Sequence, residues 1–369
     1  MKFYLTPGPS ELYPSVADHL RSALRQKLTS ISHRSQTFKD IYAETEKNLR
    51  LLLAIPDHFH LVFASSANEI WERIIQNTVA LHCTHLVNGS FSSKFADFAQ
   101  KLGKNTSLIE VPFGKGFQAE NFGEPANDSS QTEMLAIIQN ETSSGVSFDE
   151  NLMALCQKQY PTALIQVDAV SSLPYYTPDF TRLDGLYFSV QKGFGLPAGL
   201  GVWIFSEKVL EKAKTLQAQL AEKGSSIGSY HALPDWLSQA QNHQTPETPN
   251  VLGIYLLGKV CGDMLERGIK TIRQETNYKA ALLYDALERS QLFTPFVAPA
   301  HRSKTVLVAD FLAEKSQKSL SQILQLFENE GLIIGKGYGK YKESQIRIAN
   351  FPSHSKELAE KLADLILKY

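Results

Sequence analysis

Between residues 60 and 205 short apolar runs alternate with amphipathic stretches, and this alternation constrains the fold more than any other feature of the chain. His60–Ala64 (HLVFA), His85–Asn88, Ser107–Val111, Glu133–Gln139 (EMLAIIQ), Ala163–Val167, Leu186–Val190 and Gly201–Phe205 (GVWIF) read as strands. Helical patterns over Ala67–Val79, Ser92–Leu102 and Leu152–Lys158 lie between them. Apolar strands separated by helices imply an α/β chain, its sheet mostly parallel with helices on both faces. Upstream, a Pro- and Gly-rich stretch to about Ser15 reads as an extended arm, followed by helices at Val16–Leu28 and Phe38–Leu53. After Ser206 long helical patterns take over, at Lys208–Glu222, Val251–Arg267 and Ile269–Ser290. Two further strands, Thr305–Phe311 and Gln345–Ala349, and two further helices, Ser319–Asn329 and Lys356–Lys368, complete the chain. At 369 residues the chain exceeds what one core usually serves. The division expected is an arm and large domain over residues 1–259 and a smaller α+β domain over 260–369.

Composition removes several classes of function. Lys and Arg total 37 against 38 Asp and Glu, so no basic excess favours nucleic acid or a membrane surface. No apolar run approaches the roughly 20 residues of a membrane helix. The start, MKFYLTPGPSELYPSV, has no apolar core after Lys2 of the kind a secretory signal needs. Cys83, Cys156 and Cys261 are far apart with no CxxC pair, which argues against a metal site or disulfide framework and suits a reducing, cytoplasmic setting.

Three segments carry chemistry. In Leu183–Phe205 (LDGLYFSVQKGFGLPAGLGVWIF), Lys192 follows a strand end and precedes a Gly/Pro loop, where open α/β sheets bind ligands. Alone, a lysine beside glycines is more often a surface loop. In Leu164–Leu173 (LIQVDAVSSL), an apolar run ends in Asp168, a carboxylate that needs a donor partner if buried, or that merely caps a turn. In Phe63–Glu72 (FASSANEIWE), Ser65, Ser66 and Ala67 stand at a helix start, which binds phosphate well, although simple serine capping is commoner. Together they match what pyridoxal phosphate requires: a lysine for the imine, a carboxylate to keep the pyridine nitrogen protonated, and an anion cradle.

These motifs, from TPGPS at Thr6–Ser10 to RIANFP at Arg347–Pro352, resemble the class V aminotransferases of the fold-type I pyridoxal-phosphate enzymes. The resemblance implies that fold: a mostly parallel seven-stranded sheet sandwiched by helices, with the smaller α+β domain after it. It also implies pyridoxal 5′-phosphate as cofactor, Lys192 and Asp168 as catalytic residues, and a homodimer with shared active sites. NGSFSSKFADFAQKLG at Asn88–Gly103 places Phe91 where the family stacks an aromatic ring on the pyridine. NETSSG at Asn140–Gly145 brings Thr142, or Asn140, toward the cofactor's 3′-oxygen, and Ser189 and Gln191 toward its phosphate go with the lysine motif. NHQTPETPN at Asn242–Asn250 resembles the loop that reaches the neighbouring subunit's phosphate, with Gln244 and Thr245 at the matching positions.

The same resemblance assigns substrate contacts. Arg347, in QIRIAN, takes the position of the carboxylate-binding arginine, and a bidentate guanidinium suits that task. ISHRSQTF at Ile31–Phe38 places His33 and Arg34 where relatives bind a distal anion, often from the partner subunit. The expected partners are a small amino acid and a 2-oxo acid, without nucleic acid or membrane. The expected reaction is phosphoserine:2-oxoglutarate transamination in serine biosynthesis, with an alanine–glyoxylate or serine–pyruvate type as the alternative. The well-known phosphoserine branch adds a second His-Arg pair before the C-terminal arginine; here GKGYGKYKESQIR offers Lys336, Lys340 and Lys342 instead. A lyase on the same scaffold needs a reactive cysteine in a mobile loop, and the nearest, Cys261, falls within a predicted helix. A non-catalytic scaffold would not need Lys192, Asp168 and Arg347 together, and no GxGxxG follows the first strand to suggest a dinucleotide.

Overall fold

A computed structural model describes residues 2–122 and 131–369. The chain opens with strand β1 (Phe3–Leu5), then helices α1 (Val16–Arg25) and α2 (Gln36–Leu53). The alternating region follows: β2 (Phe59–Ala64), α3 (Ala67–Thr78), β3 (His82–Val87), α4 (Ser90–Lys101), β4 (Asn105–Glu110) and β5 (Met134–Ile138). A small hairpin of β6 (Asn140–Glu141) and β7 (Val146–Ser147) leads to α5 (Met153–Gln159), β8 (Leu164–Asp168), β9 (Gly185–Ser189) and β10 (Gly201–Ser206). Helices α6 (Glu207–Glu222), α7 (Leu233–Ala240), α8 (Val251–Arg267) and α9 (Ile269–Arg289) come next. The chain ends with β11 (Phe293–Pro295), β12 (Val306–Phe311), α10 (Leu320–Asn329), β13 (Leu332–Lys336), β14 (Gln345–Ala349) and α11 (Lys356–Lys368).

The alternating strands build a seven-stranded sheet in the order β2-β10-β9-β8-β5-β3-β4. Strands β9, β8, β5, β3 and β4 run parallel to one another, while β10 is antiparallel to both β2 and β9. This is the mostly parallel α/β sheet expected. Strands β3, β5, β8, β9 and β10 are buried along their whole length, which explains their unbroken apolar runs. A second sheet, β1-β13-β14-β12-β11, has its own core of Leu307, Ile323, Phe327, Ile346, Ile348 and Leu362.

Two differences from the sequence reading position the site. The N-terminal arm contains a strand: β1 pairs in parallel with β13, Tyr4 opposite Ile333, so the first residues join the C-terminal sheet. A strand at Leu332–Lys336, invisible in the periodicity, supplies that partner. No helix of the described residues is long and apolar enough to cross a membrane.

The sheet centre is where packing defects cost most. Ile204 on β10 lies between Leu61 and Leu186 in register and is fully buried. Ile204→Ala should lower unfolding free energy by about 2–5 kcal/mol, seen as a reduced denaturant midpoint.

Candidate active site

Strands β8 and β9 are parallel neighbours, with Asp168 opposite Tyr187, so both deliver their carboxyl ends to the same edge of the sheet. A cavity of about 200 Å³ lies there. Its walls combine Asp168 at the end of β8 and Val170 beyond it, Ser189 at the end of β9 and Gln191 and Lys192 beyond it, Ala67, Asn68 and Trp71 of α3, and Phe91 of α4. Arg347 and Tyr338 of the small sheet and Pro7 and Gly8 of the arm close it.

Lys192 is held by a loop that only glycine permits. A Cβ on Gly193 would stand 1.9 Å from the Leu173 carbonyl oxygen, and Gly195 has a φ of +61° with the Tyr13 backbone against it. On the other side Gly8 packs on the lysine stem, where a Cβ would come within 2.8 Å of Lys192 Cε. The amine is buried, donates to Thr142 Oγ1 at 2.8 Å and sits 5.3 Å from the centre of the Phe91 ring. Burial pushes its pKa down to about 8; the nearby Asp168 works against that and Arg347 with it.

Asp168 is equally buried. One carboxylate oxygen accepts from the Val170 N–H at 2.9 Å and the other from the Trp71 indole N–H at 3.1 Å. Burial raises its pKa to about 6, opposed by the Val170 N–H, by Lys192 and by Trp71. Trp71 went unnoticed in the sequence, yet a signal was there: it lies four residues after Ala67, hence on the same face of α3.

The neighbouring hairpin locks the site floor. Asn140 Nδ2 and Thr142 Oγ1 both donate to Ser171 Oγ, at 2.7 and 2.9 Å. Between them Glu141, wholly buried, accepts from the backbone N–H of Ser92 at 2.9 Å and of Phe91 at 3.3 Å, and from the Ser143 hydroxyl at 2.6 Å. It therefore caps α4, the helix carrying Phe91, with a carboxylate. Ser171 and Glu141 are further site residues the sequence reading missed.

At the start of α3 the Ala67 N–H donates to Ser189 Oγ at 2.7 Å. Ser66 caps the helix by accepting the Glu69 N–H. Ser65 is turned away from this cavity: its N–H and hydroxyl both donate to the Glu69 carboxylate, and it lines a neighbouring cavity. The small sheet contributes Arg347, whose Nε donates to the Lys336 carbonyl at 2.9 Å and whose guanidinium lies 5.4 Å from the Tyr338 ring centre. Tyr338 in turn meets Phe91, ring centres 5.2 Å apart. Lys336 does not enter the cavity, because its amine is bound to Glu343 and Ser321. Lys340 and Lys342 are exposed.

His33, Arg34, Gln244 and Thr245 also lie outside the same chain's cavity. Arg34 donates to Gln244 Oε1 at 2.8 Å and to Gln239 Oε1 at 3.2 Å, so His33, Arg34 and Gln244 form a separate patch. Thr245 is buried, its hydroxyl donating to the Glu247 carbonyl. His33 titrates below the usual histidine range, through burial and then the charge of Arg34. No group of three or more His, Cys, Asp or Glu suited to a metal occurs among the described residues.

The Aminotransferase class-V family profile matches residues 3–338. The chain is a class V aminotransferase. It is 28% identical over 365 residues to a phosphoserine aminotransferase of Rhodococcus opacus (strain B4), covering 97% of this chain and 92% of that one. A crystal structure of a phosphoserine aminotransferase from Cytophaga hutchinsonii superposes with a TM-score of 0.93 at 46% identity, covering 100% of this chain and 98% of that one. A phosphoserine aminotransferase from Trichomonas vaginalis with bound PLP shares the fold at a TM-score of 0.79 and 19% identity, with 99% of each chain covered. Arg347 lies beyond the matched residues of the profile, so in this class V aminotransferase its place rests on the geometry above.

Removing the indole N–H tests how Asp168 is held. Trp71→Phe keeps the ring packing on Phe95 but leaves one carboxylate oxygen without its donor. The carboxyl should then titrate above its present value of about 6, and the acid limb of the pH–rate profile should move to higher pH by a fraction of a unit to a unit.

Proposed function

We propose that this enzyme transfers the amino group of phosphoserine to 2-oxoglutarate, using pyridoxal 5′-phosphate held on Lys192. The observation that carries the substrate is the 46% identity, across the whole chain, to the Cytophaga hutchinsonii phosphoserine aminotransferase. The cavity fits the cofactor chemically. A buried amine and a buried carboxylate share it, Asn140 Oδ1 and Gln191 Oε1 have no partner among the described residues, and Gly8 leaves room above the lysine stem. When bound, pyridoxal phosphate supplies an electron-withdrawing ring that stabilises negative charge at the substrate α-carbon.

The residues divide the remaining work. The Lys192 amine would take the proton from the substrate α-carbon and deliver it on the far side of the substrate nitrogen, two bonds away. Asp168, fixed in place by Trp71 and Val170, would keep a proton on the pyridine nitrogen. Phe91 would cover the ring, and Thr142, with Asn140 behind it, would take the 3′-oxygen. Ser66, Ala67, Ser189 and Gln191 would hold the phosphate at the start of α3. Arg347 binds the α-carboxylate with its guanidinium fork.

No second cation of the same chain is directed into this cavity among the described residues, since Lys336 is occupied and Lys340 and Lys342 face solvent. The substrate's own phosphate is therefore assigned to His33 and Arg34 of a second copy of the chain. Gln244, tied to Arg34, and the adjacent Thr245 are assigned to the partner's cofactor phosphate, Thr245 once its buried hydroxyl leaves the Glu247 carbonyl. One surface thus delivers both pairs, which makes the enzyme a homodimer with shared sites. On this reading the enzyme works in serine biosynthesis, in the cytoplasm. A second reading, an alanine–glyoxylate or serine–pyruvate type, is favoured by the aromatic wall of Phe91 and Tyr338, which suits a small side chain.

Half-reaction spectroscopy separates the two. Phosphoserine and glutamate should convert the bound cofactor rapidly, and alanine and serine slowly; the reverse order establishes the second reading. Arg347→Lys should raise KM for either amino acid at least about tenfold, because a point charge cannot replace the fork. Lys192 has its pKa near 8 and reacts only when neutral, so cofactor capture by the apoenzyme should speed up as pH rises through about 8 and then level off. A capture rate flat between pH 6.5 and 9 would contradict this.

A further inference from the structure

The cavity wall formed by the N-terminal arm is anchored at a histidine that does not line the cavity. Pro7 and Gly8 form the tip of a loop that the backbone closes at Tyr4 and Glu11: the Tyr4 N–H donates to the Glu11 carboxylate at 2.8 Å, and the Glu11 N–H to the Tyr4 carbonyl at 3.1 Å. The Ser10 hydroxyl donates to the same carbonyl at 3.1 Å. The tip is confined on both sides, with Gly8 against Lys192 and Pro7 against Gly335, the residue opposite Arg347 in the small sheet. The base of the loop is joined to the small domain by the pairing of β1 with β13, by Leu5 in that domain's core, and by a side-chain tie at the Tyr4 carbonyl.

His354 supplies that tie. It is 2% exposed, in the turn between β14 and α11. Its Nδ1 lies 3.0 Å from the Phe351 N–H, so Nδ1 accepts, and the ring proton must sit on Nε2. Nε2 lies 3.1 Å from the Tyr4 carbonyl and donates to it. The turn itself is fixed by Lys279, whose buried amine donates to the carbonyls of Phe351 and His354 at 3.0 and 2.7 Å. A continuous set of hydrogen bonds thus runs from α9 through the turn and the imidazole to the loop that backs Lys192.

We propose that His354 is a positioning residue for transamination: its Nε2–H fixes the residue 4–11 loop, and through Pro7 and Gly8 sets the wall against which Lys192 and the substrate carboxylate are placed. This rests on the assignment of Lys192 and Arg347 to the active site, but part of its test does not. The two amides separate the two ring contacts. His354→Asn keeps an acceptor for the Phe351 N–H and cannot reach Tyr4; His354→Gln keeps a donor at the Nε2 position and loses the Phe351 contact. Hydrogen exchange of the apoenzyme should show faster exchange confined to amides of residues 5–11 in H354N, with that loop still protected in H354Q. In the loaded enzyme H354N should raise KM for the amino acid about tenfold, the scale of one lost buried hydrogen bond, with a smaller change in kcat, and H354Q should restore most of the loss. Unchanged exchange at residues 5–11 in H354N, or equal loosening of that loop in both variants, overturns the proposal whatever the substrate proves to be. If H354N does not fold, H354Q decides: a loosened turn with a protected loop supports the tether, and a loosened loop refutes it.

Discussion

An ammonium group taken out of water is costly, and the arrangement of this protein around Lys192 and Asp168 follows from that cost. Each is buried, and burial alone would strip both of charge: it drives the lysine down to about 8 and the aspartate up to about 6. Each also holds the other back, because the opposite charge nearby favours ionisation. Burial thus draws both groups toward neutral pH, the lysine from above and the aspartate from below. The parallel strands β8 and β9 create the pair by ending side by side. The donors from Trp71 and Val170 stop Asp168 from giving up its charge altogether.

Burial and a depressed pKa do not by themselves mark a reactive lysine, as Lys279 makes clear. It is 1% exposed and is likewise pushed down to about 8, first by burial and then by the charge of Arg267. Its amine is spent on two backbone carbonyls, so it is a structural fastener of the turn that carries His354. Lys192 donates to a single hydroxyl and borders a cavity with a carboxylate, a guanidinium and an aromatic ring. The surroundings, rather than the lysine, make the difference between scaffold and chemistry.

Much of this was legible in the sequence, for physical reasons. Helices with strong amphipathic periods, such as Val251–Arg267 and Lys356–Lys368, and the strand Gln345–Ala349 occur at the boundaries their patterns imply. The direction of β10 was not legible, because an apolar run such as GVWIF looks the same whichever way it pairs. Strand β1 is three residues long and exists only through its pairing with β13, a contact across more than 300 positions that no local pattern encodes. Lys192, Asp168, Thr142 and Arg347 do converge on one cavity, whereas Trp71, Ser171, Glu141 and Tyr338 act by holding or flanking them, a role set by tertiary contact and not by residue type. His33, Arg34, Gln244 and Thr245 were suggested by resemblance and lie outside this cavity, with Arg34 bound to Gln244.

The central claim is that the amine of Lys192, and not that of Lys279, carries the cofactor. Reduction of the pyridoxal-phosphate-loaded protein with borohydride, followed by proteolysis and peptide mass spectrometry, reads this directly. The pyridoxyl mass should appear on the peptide containing Lys192, one per chain, and nowhere else. A label on Lys279, or spread over surface lysines with Lys192 unmodified, would contradict the assignment.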